Sequence, residues 1–223
     1  MKKKYDNILV TKPWGYEYKI HENKIAATWY LNINKNHKTS LHCHPLKKTG
    51  FILLNGKVEI ELGFYEKIIL NSPAKLMIRP GLFHSTKALS KNAKILEIET
   101  PINKNDLVRF KDQYGRKEKP YEGKKKMKQL SDNFIKFKTP KINYTNKYFL
   151  DNCKITVEKI SKLKKHNNNT IIAVLAGSLV DKKKRSVLSS GDIVYYRTVN
   201  KLAKTFNINK QLTILTVNKI IEK

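Results

Sequence analysis

The chain has 223 residues, with 46 lysines and arginines against 18 aspartates and glutamates, and 40% of it is apolar. At about 150 residues per domain this is one large domain or two small ones, each able to bury a core, so wholesale disorder is excluded. The net charge of +28 points toward polyanions, yet only five of the basic residues are arginines and the lysines are spread through every segment, so the expected partner is an anionic small molecule, not nucleic acid.

No apolar run approaches the roughly 18 residues of a membrane helix. Met1-Lys2-Lys3-Lys4 leads into Tyr5-Asp6-Asn7, not into a secretory apolar stretch. A cytoplasmic protein without membrane contact is the expectation. Cys43 and Cys153 cannot build a disulfide framework and are read as free thiols.

In chain order the apolar pattern is that of strands. Trp29, Leu31 and Ile33 alternate with Thr28, Tyr30 and Asn32, which predicts a strand with one buried face. Asn55-Gly56 stands between Phe51-Ile52-Leu53-Leu54 and the alternating run from Val58 to Leu62, the strongest short signal for a hairpin. A helix is expected over 105–114, with Asn105 as N-cap and Gly115 as the stop. Residues 116–140 begin with a dense run of charge broken by Pro120 and Gly123 and read as a charged linker.

The strand pattern then resumes over 141–223, and the two halves superpose. Leu53-Leu54-Asn55-Gly56-Lys57 matches Val174-Leu175-Ala176-Gly177-Ser178, and Ala74-Lys75-Leu76-Met77-Ile78-Arg79 matches Asp192-Ile193-Val194-Tyr195-Tyr196-Arg197. Ile95-Leu96-Glu97-Ile98-Glu99 matches Ile214-Leu215-Thr216-Val217-Asn218. Three matches in one order at nearly constant offset indicate an internal duplication, hence two all-β barrel modules of roughly 100 residues each. The expected divisions are 1–115, a 116–140 linker and 141–223.

The chemistry concentrates in Leu41-His42-Cys43-His44 and in Arg79-Pro80-Gly81-Leu82-Phe83-His84. Histidines two residues apart on a strand share a face, so His42 and His44 converge while Cys43 points away. With His84 from a later strand they make a three-nitrogen site for one divalent transition metal, Zn, Fe, Mn or Ni, with open coordination positions.

The spacing His42-x-His44, four residues, Thr49, six residues, Gly56 resembles the first cupin motif, and Pro80-Gly81-Leu82-Phe83-His84 is similar to the core of the second. Lys12-Pro13-Trp14-Gly15, Ser40-Leu41 and the run from Asp106 to Arg116 resemble the carboxyl-terminal isomerase module of type II mannose-6-phosphate isomerase/mannose-1-phosphate guanylyltransferase and related sugar cupins. The resemblance implies two tandem cupin-like double-stranded β-helix (jelly-roll) barrels, a bicupin. It departs in two places. Thr49 stands where the motif has a metal-binding Glu, and Trp29 and Tyr30 stand where the isomerase module has a basic pair. In the second half the matching positions fall near Leu163, Lys165 and Leu202, so that module is expected to be degenerate and metal-free.

Beside the histidines, Lys47, Lys48, Arg79 and Arg109 are the candidate contacts for a phosphate or pyrophosphate. Glu97 and Glu99 share one face of an apolar strand and, if inward, supply a general base or a further ligand. The leading expectation is a metal-dependent isomerase or epimerase of a sugar phosphate or nucleotide sugar in carbohydrate or polysaccharide biosynthesis. The alternatives are a non-catalytic sugar-binding or assembly cupin and a three-histidine iron dioxygenase, and a homodimer is possible in each case.

Overall fold

The structure is a computed structural model and describes residues 5–116 and 123–220. The first half runs through β1 (Ile8–Lys12), β2 (Gly15–Glu22), β3 (Ala27–Asn34), β4 (Leu41–Cys43), β5 (Lys48–Asn55) and β6 (Lys57–Leu62). It continues with β7 (Glu66–Asn71), β8 (Ala74–Ile78), β9 (His84–Ala88), β10 (Asn92–Thr100) and β11 (Val108–Lys111). A 3-10 turn at Lys124–Lys126 precedes β12 (Met127–Gln129). The second half contains β13 (Thr145–Leu150), β14 (Cys153–Ile160), β15 (Ile171–Ala176), β16 (Ser178–Val180), β17 (Ser186–Ser189) and β18 (Ile193–Tyr195). The helix α1 (Tyr196–Leu202) leads to β19 (Asn207–Ile208) and β20 (Leu212–Lys219).

These strands form four antiparallel sheets. In the first half they are ordered β12-β1-β2-β3-β10-β5-β8 and β11-β4-β9-β6-β7. Strands β3 to β10 thus follow the jelly-roll order, changing sheet at every step except the β6–β7 hairpin. The second half repeats this with β13-β14-β20-β15-β18 facing β17-β16-β19. The fold is two tandem cupin-like barrels. The repeat extends to the pairing register: β5 and β10 slip between Leu53↔Ile95 and Asn55↔Lys94, and β15 and β20 slip between Val174↔Ile214 and Ala176↔Thr213. The strand equivalent to β4 has no counterpart among the described residues of the second half.

Three apolar cores separate the four sheets. Trp29, Leu31, Ile33, Phe51, Leu53 and Ile95 fill the first barrel, and Ile160, Ile172, Val174, Leu179 and Ile214 fill the second. Between the barrels, Tyr18, Tyr30, Ile52, Leu96 and Ile98 of one large sheet pack on Ile155, Val157, Ala173, Leu215 and Val217 of the other. β3 is therefore buried on both faces: Thr28, Tyr30 and Asn32, expected on the solvent side, are all buried, and Tyr30 packs in the layer between the barrels. At Gly50 the halves approach closely, since a Cβ there would lie 2.4 Å from Ile193 Cδ1.

Three local expectations are corrected. Asn55-Gly56 makes no hairpin, because β5 and β6 belong to different sheets. Gly56 turns the chain across the barrel at φ +92°, and a Cβ would lie 2.5 Å from the Asn92 carbonyl oxygen. Gly177 does the same at φ +88°. The expected helix over 105–114 is instead a loop and β11, because Val108 and Arg109 pair with Cys43 and His42 and this pairing overrides local propensity. The 116–140 stretch is not a free linker where it is described. β12 extends the large sheet beside β1, and Leu130 and Phe137 are buried between the barrels. Residues 117–122 of that stretch lie outside the described residues.

Candidate metal centre

His42 sits on β4 directly opposite His84 of β9. His44 follows β4 and precedes Pro45, which disfavours helical backbone at His44 and keeps it extended, on the same side as His42. The Gly81 amide donates to the His44 carbonyl at 2.9 Å, so the Pro80-Gly81 turn that delivers His84 is fastened to the other histidine segment. Ring centroids lie 4.5 Å apart for His42 and His84, 5.0 Å for His42 and His44, and 5.6 Å for His44 and His84. One nitrogen from each ring lies within 4.8 Å of the others.

The tautomers are set by backbone carbonyls. Nδ1 of His42 donates to Ser40 O at 2.7 Å, that of His44 to Asp106 O at 2.5 Å and that of His84 to Leu82 O at 3.0 Å. Each Nε2 is then a lone pair. In His44 and His84 that atom is buried with no hydrogen-bond partner. Burial pushes all three rings toward the neutral form: His42 well below the usual range, aided by His84 and His44, His44 to about 2, aided by Lys47, and His84 to about 4. Three neutral imidazoles converging on one centre, two with a partnerless Nε2, fit a divalent transition metal.

A cavity lined by His42, His44, Glu97, Glu99, Lys47 and Arg109 encloses about 70 Å³ wide enough for water. The two acids differ in surroundings. Glu99 accepts from Trp29 Nε1 at 2.9 Å and from Lys47 Nζ at 2.6 Å, a fully buried pair. The Glu97 carboxyl has no hydrogen bond or ion pair within 4.0 Å among the described residues, and burial, opposed by Lys104, raises its pKa to about 7. Glu97 therefore costs stability as it ionises: the folded chain holds this proton to about pH 7 while an unfolded Glu releases it near 4.5. Relative to Glu97→Gln, the parent is expected to lose on the order of a few kcal/mol between pH 5 and 8, read by denaturant melts at both pH values.

Two expected anion contacts lie elsewhere. Lys48 reaches Asp192 at 2.7 Å and ties the barrels together, and Arg79 is exposed, donating to the Pro80 carbonyl. Neither lines the cavity. Sequence reading missed Lys12, Glu17, Lys104 and Arg116, which do. Only the strand alternation of Glu17 within β2 could have suggested its direction; Lys104 sits on an irregular loop with no period to read. Thr49 is buried, its hydroxyl without a hydrogen-bond partner among the described residues.

Strand order and the position of the histidines define a cupin-like double-stranded β-helix with a candidate three-histidine centre in its first barrel. No family model matches the sequence, and no curated protein does. Among solved structures, the chain is similar to a conserved double-stranded β-helix protein from Klebsiella pneumoniae, at 13% identity and TM-score 0.40, over 43% of this chain and 79% of that one. It is also similar to KdgF from Halomonas sp., at 14% identity and TM-score 0.38, over 46% of this chain and 87% of that one. A third likeness is to CapF, at 15% identity and TM-score 0.42, over 47% of this chain and 34% of that one. The fold class rests on the topology, not on these likenesses. No helix among the described residues is long and apolar enough to cross a membrane.

Proposed function

We propose that the first barrel holds one divalent metal, Zn, Fe, Mn or Ni, on His42, His44 and His84, and isomerises or epimerises an anionic sugar, a sugar phosphate or nucleotide sugar. The observation that carries this reading is the convergence of three imidazoles, two of them with a buried Nε2 that has no partner, beside a cavity lined by His42, His44 and the raised-pKa carboxyl of Glu97. A metal bound there supplies Lewis-acid polarisation of a sugar carbonyl. Glu97, titrating near the working pH, takes a proton from the carbon beside that carbonyl and returns it to the neighbouring carbon or the opposite face. Glu99, locked by Trp29 and Lys47, is a positioning group that fixes the charge of the cavity wall and does not itself move a proton.

The test is incubation of metal-loaded protein with a panel of sugar phosphates and nucleotide sugars in deuterium oxide. The expected result is solvent deuterium at the carbon beside the carbonyl, slowed about 100- to 10,000-fold in Glu97→Gln. No exchange with any member of the panel would overturn the reading.

A further inference from the structure

We propose that the outer face of the smaller sheet in the first barrel is a separate carbohydrate site, an aromatic platform beside a polar trough, for an uncharged oligosaccharide. It lies on the opposite side of the strands from the histidines and does not depend on how the metal centre is read.

Strand alternation gives these strands two working sides. On β9, Thr86 lines the histidine cavity, whereas Ser85 and Lys87 line a trough of about 210 Å³. On β6, Val58 and Ile60 enter the core, whereas Glu59 and Glu61 line the trough. The register sets Glu61 between Lys67 and Ser85, and Glu59 between Ile69 and Lys87, so the outward side chains stand in rows across β7, β6 and β9.

At one end the same face becomes aromatic. Phe83 stands two residues before Ser85, a span of about 7 Å along a strand, so one chain of sugar units can reach both. Its ring lies 5.5 Å from Phe64 in the turn between β6 and β7 and 5.8 Å from Phe110 of β11, and the Phe64 and Phe110 rings are 5.0 Å apart. Tyr65 adds a fourth ring 6.4 Å from Phe64. Phe64 and Phe110 are about half exposed and Tyr65 is 94% exposed. Single apolar side chains in water need no explanation, but four clustered rings mark a binding surface.

The chemistry of the trough selects the occupant. A sugar ring has C–H faces that pack on the electron-rich face of an aromatic ring and hydroxyls that both donate and accept. The trough interleaves acceptors, Glu59 and Glu61, with donors, Lys38, Lys67 and Lys87. Lys67 lies 3.3 Å from Glu59, while Glu61 accepts from the Ser85 hydroxyl at 3.2 Å and has no ion pair within 4.0 Å among the described residues. Three ammoniums against two carboxylates nearly balance, in a chain whose net charge is +28. A nucleic acid would set its phosphates against Glu59 and Glu61, and a second copy would bring +28 against +28. An uncharged oligosaccharide meets neither penalty.

The test is titration calorimetry of the full chain with maltohexaose, cellohexaose, mannohexaose and chitohexaose, with glucose as the single unit and hexagalacturonate as the acidic arm, at two salt concentrations. The expected result is that at least one neutral hexasaccharide binds more tightly than glucose, that salt leaves this affinity in place, and that a chelator does not change it. Tyr65→Ala should weaken it about three- to tenfold, Tyr65→Phe should match the parent, and Glu61→Gln should weaken it about tenfold or more. Each variant should keep the parent's melting midpoint and bound metal, since these side chains lie outside the core and the histidine cavity. The proposal is overturned if no neutral hexasaccharide binds better than glucose, if Tyr65→Ala or Glu61→Gln keeps the parent's affinity, or if the chelator abolishes binding, which would place the sugar inside the barrel. Binding confined to hexagalacturonate and lost at raised salt would likewise overturn it, because that is the overall positive field acting without a site.

Discussion

Treatment with a chelator is expected to lower the melting temperature of metal-loaded protein by about 8–16 °C. A ligand present at a thousand times its Kd adds about 4.1 kcal/mol to folding, and in a chain of this size each kcal/mol moves the midpoint by about 2–4 °C. The site is built to repay the metal in this way. Its three rings are neutral at pH 7, so no proton has to leave, and their Nδ1 atoms are already committed to carbonyls, so little rotamer freedom is lost on binding. Proton competition should set in only toward pH 4, where His84 begins to charge. A His42→Ala/His44→Ala double variant should carry only background metal by elemental analysis and show no chelator shift. Parent-level metal in that variant would remove the centre.

The second large effect is expected far from the histidines. Leu96 and Leu215 are fully buried in the layer between the barrels. Leu96→Ala and Leu215→Ala should each cost about 2–5 kcal/mol, since neither sheet can collapse into the void without dragging a whole barrel with it. That corresponds to a fall of about 4–20 °C in the melting midpoint. If the halves were independent units joined by a tether, the same truncations would behave as surface changes, within about 0.5 kcal/mol. Calorimetry separates the outcomes, and a single cooperative transition shifted by either variant is the expected trace.

Strand existence, the duplicated register and the two histidine segments were legible because each is written in local spacing. The alternation of Trp29, Leu31 and Ile33 marks the barrel interior, and Leu53 aligns with Val174 as the pairing with β10 and β20 requires. What the spacing could not carry was which sheet a strand joins. Asn55-Gly56 has the composition of a hairpin, but Gly56 is demanded by the Asn92 carbonyl beneath it, a contact 36 residues away. The burial of Tyr30 was hidden for a related reason, because a second barrel that covers an outer face leaves no period in the strand it covers. Lys48 and Arg79 were placed near the histidines by sequence distance, whereas β5 turns Lys48 toward Asp192 and the lining is completed by Glu17 and Lys104 from other elements.

The second barrel keeps the strands that close its walls and lacks, among its described residues, the short strand that in the first barrel bears His42. Architecture and chemistry are therefore inherited on separate pieces of chain: three residues of backbone can be lost from a copy without opening either large sheet. A duplicated barrel of this kind is free to become a buttress while its twin goes on working, and grafting the segment from Ser40 to His44 into the copy would ask whether the trade can be reversed.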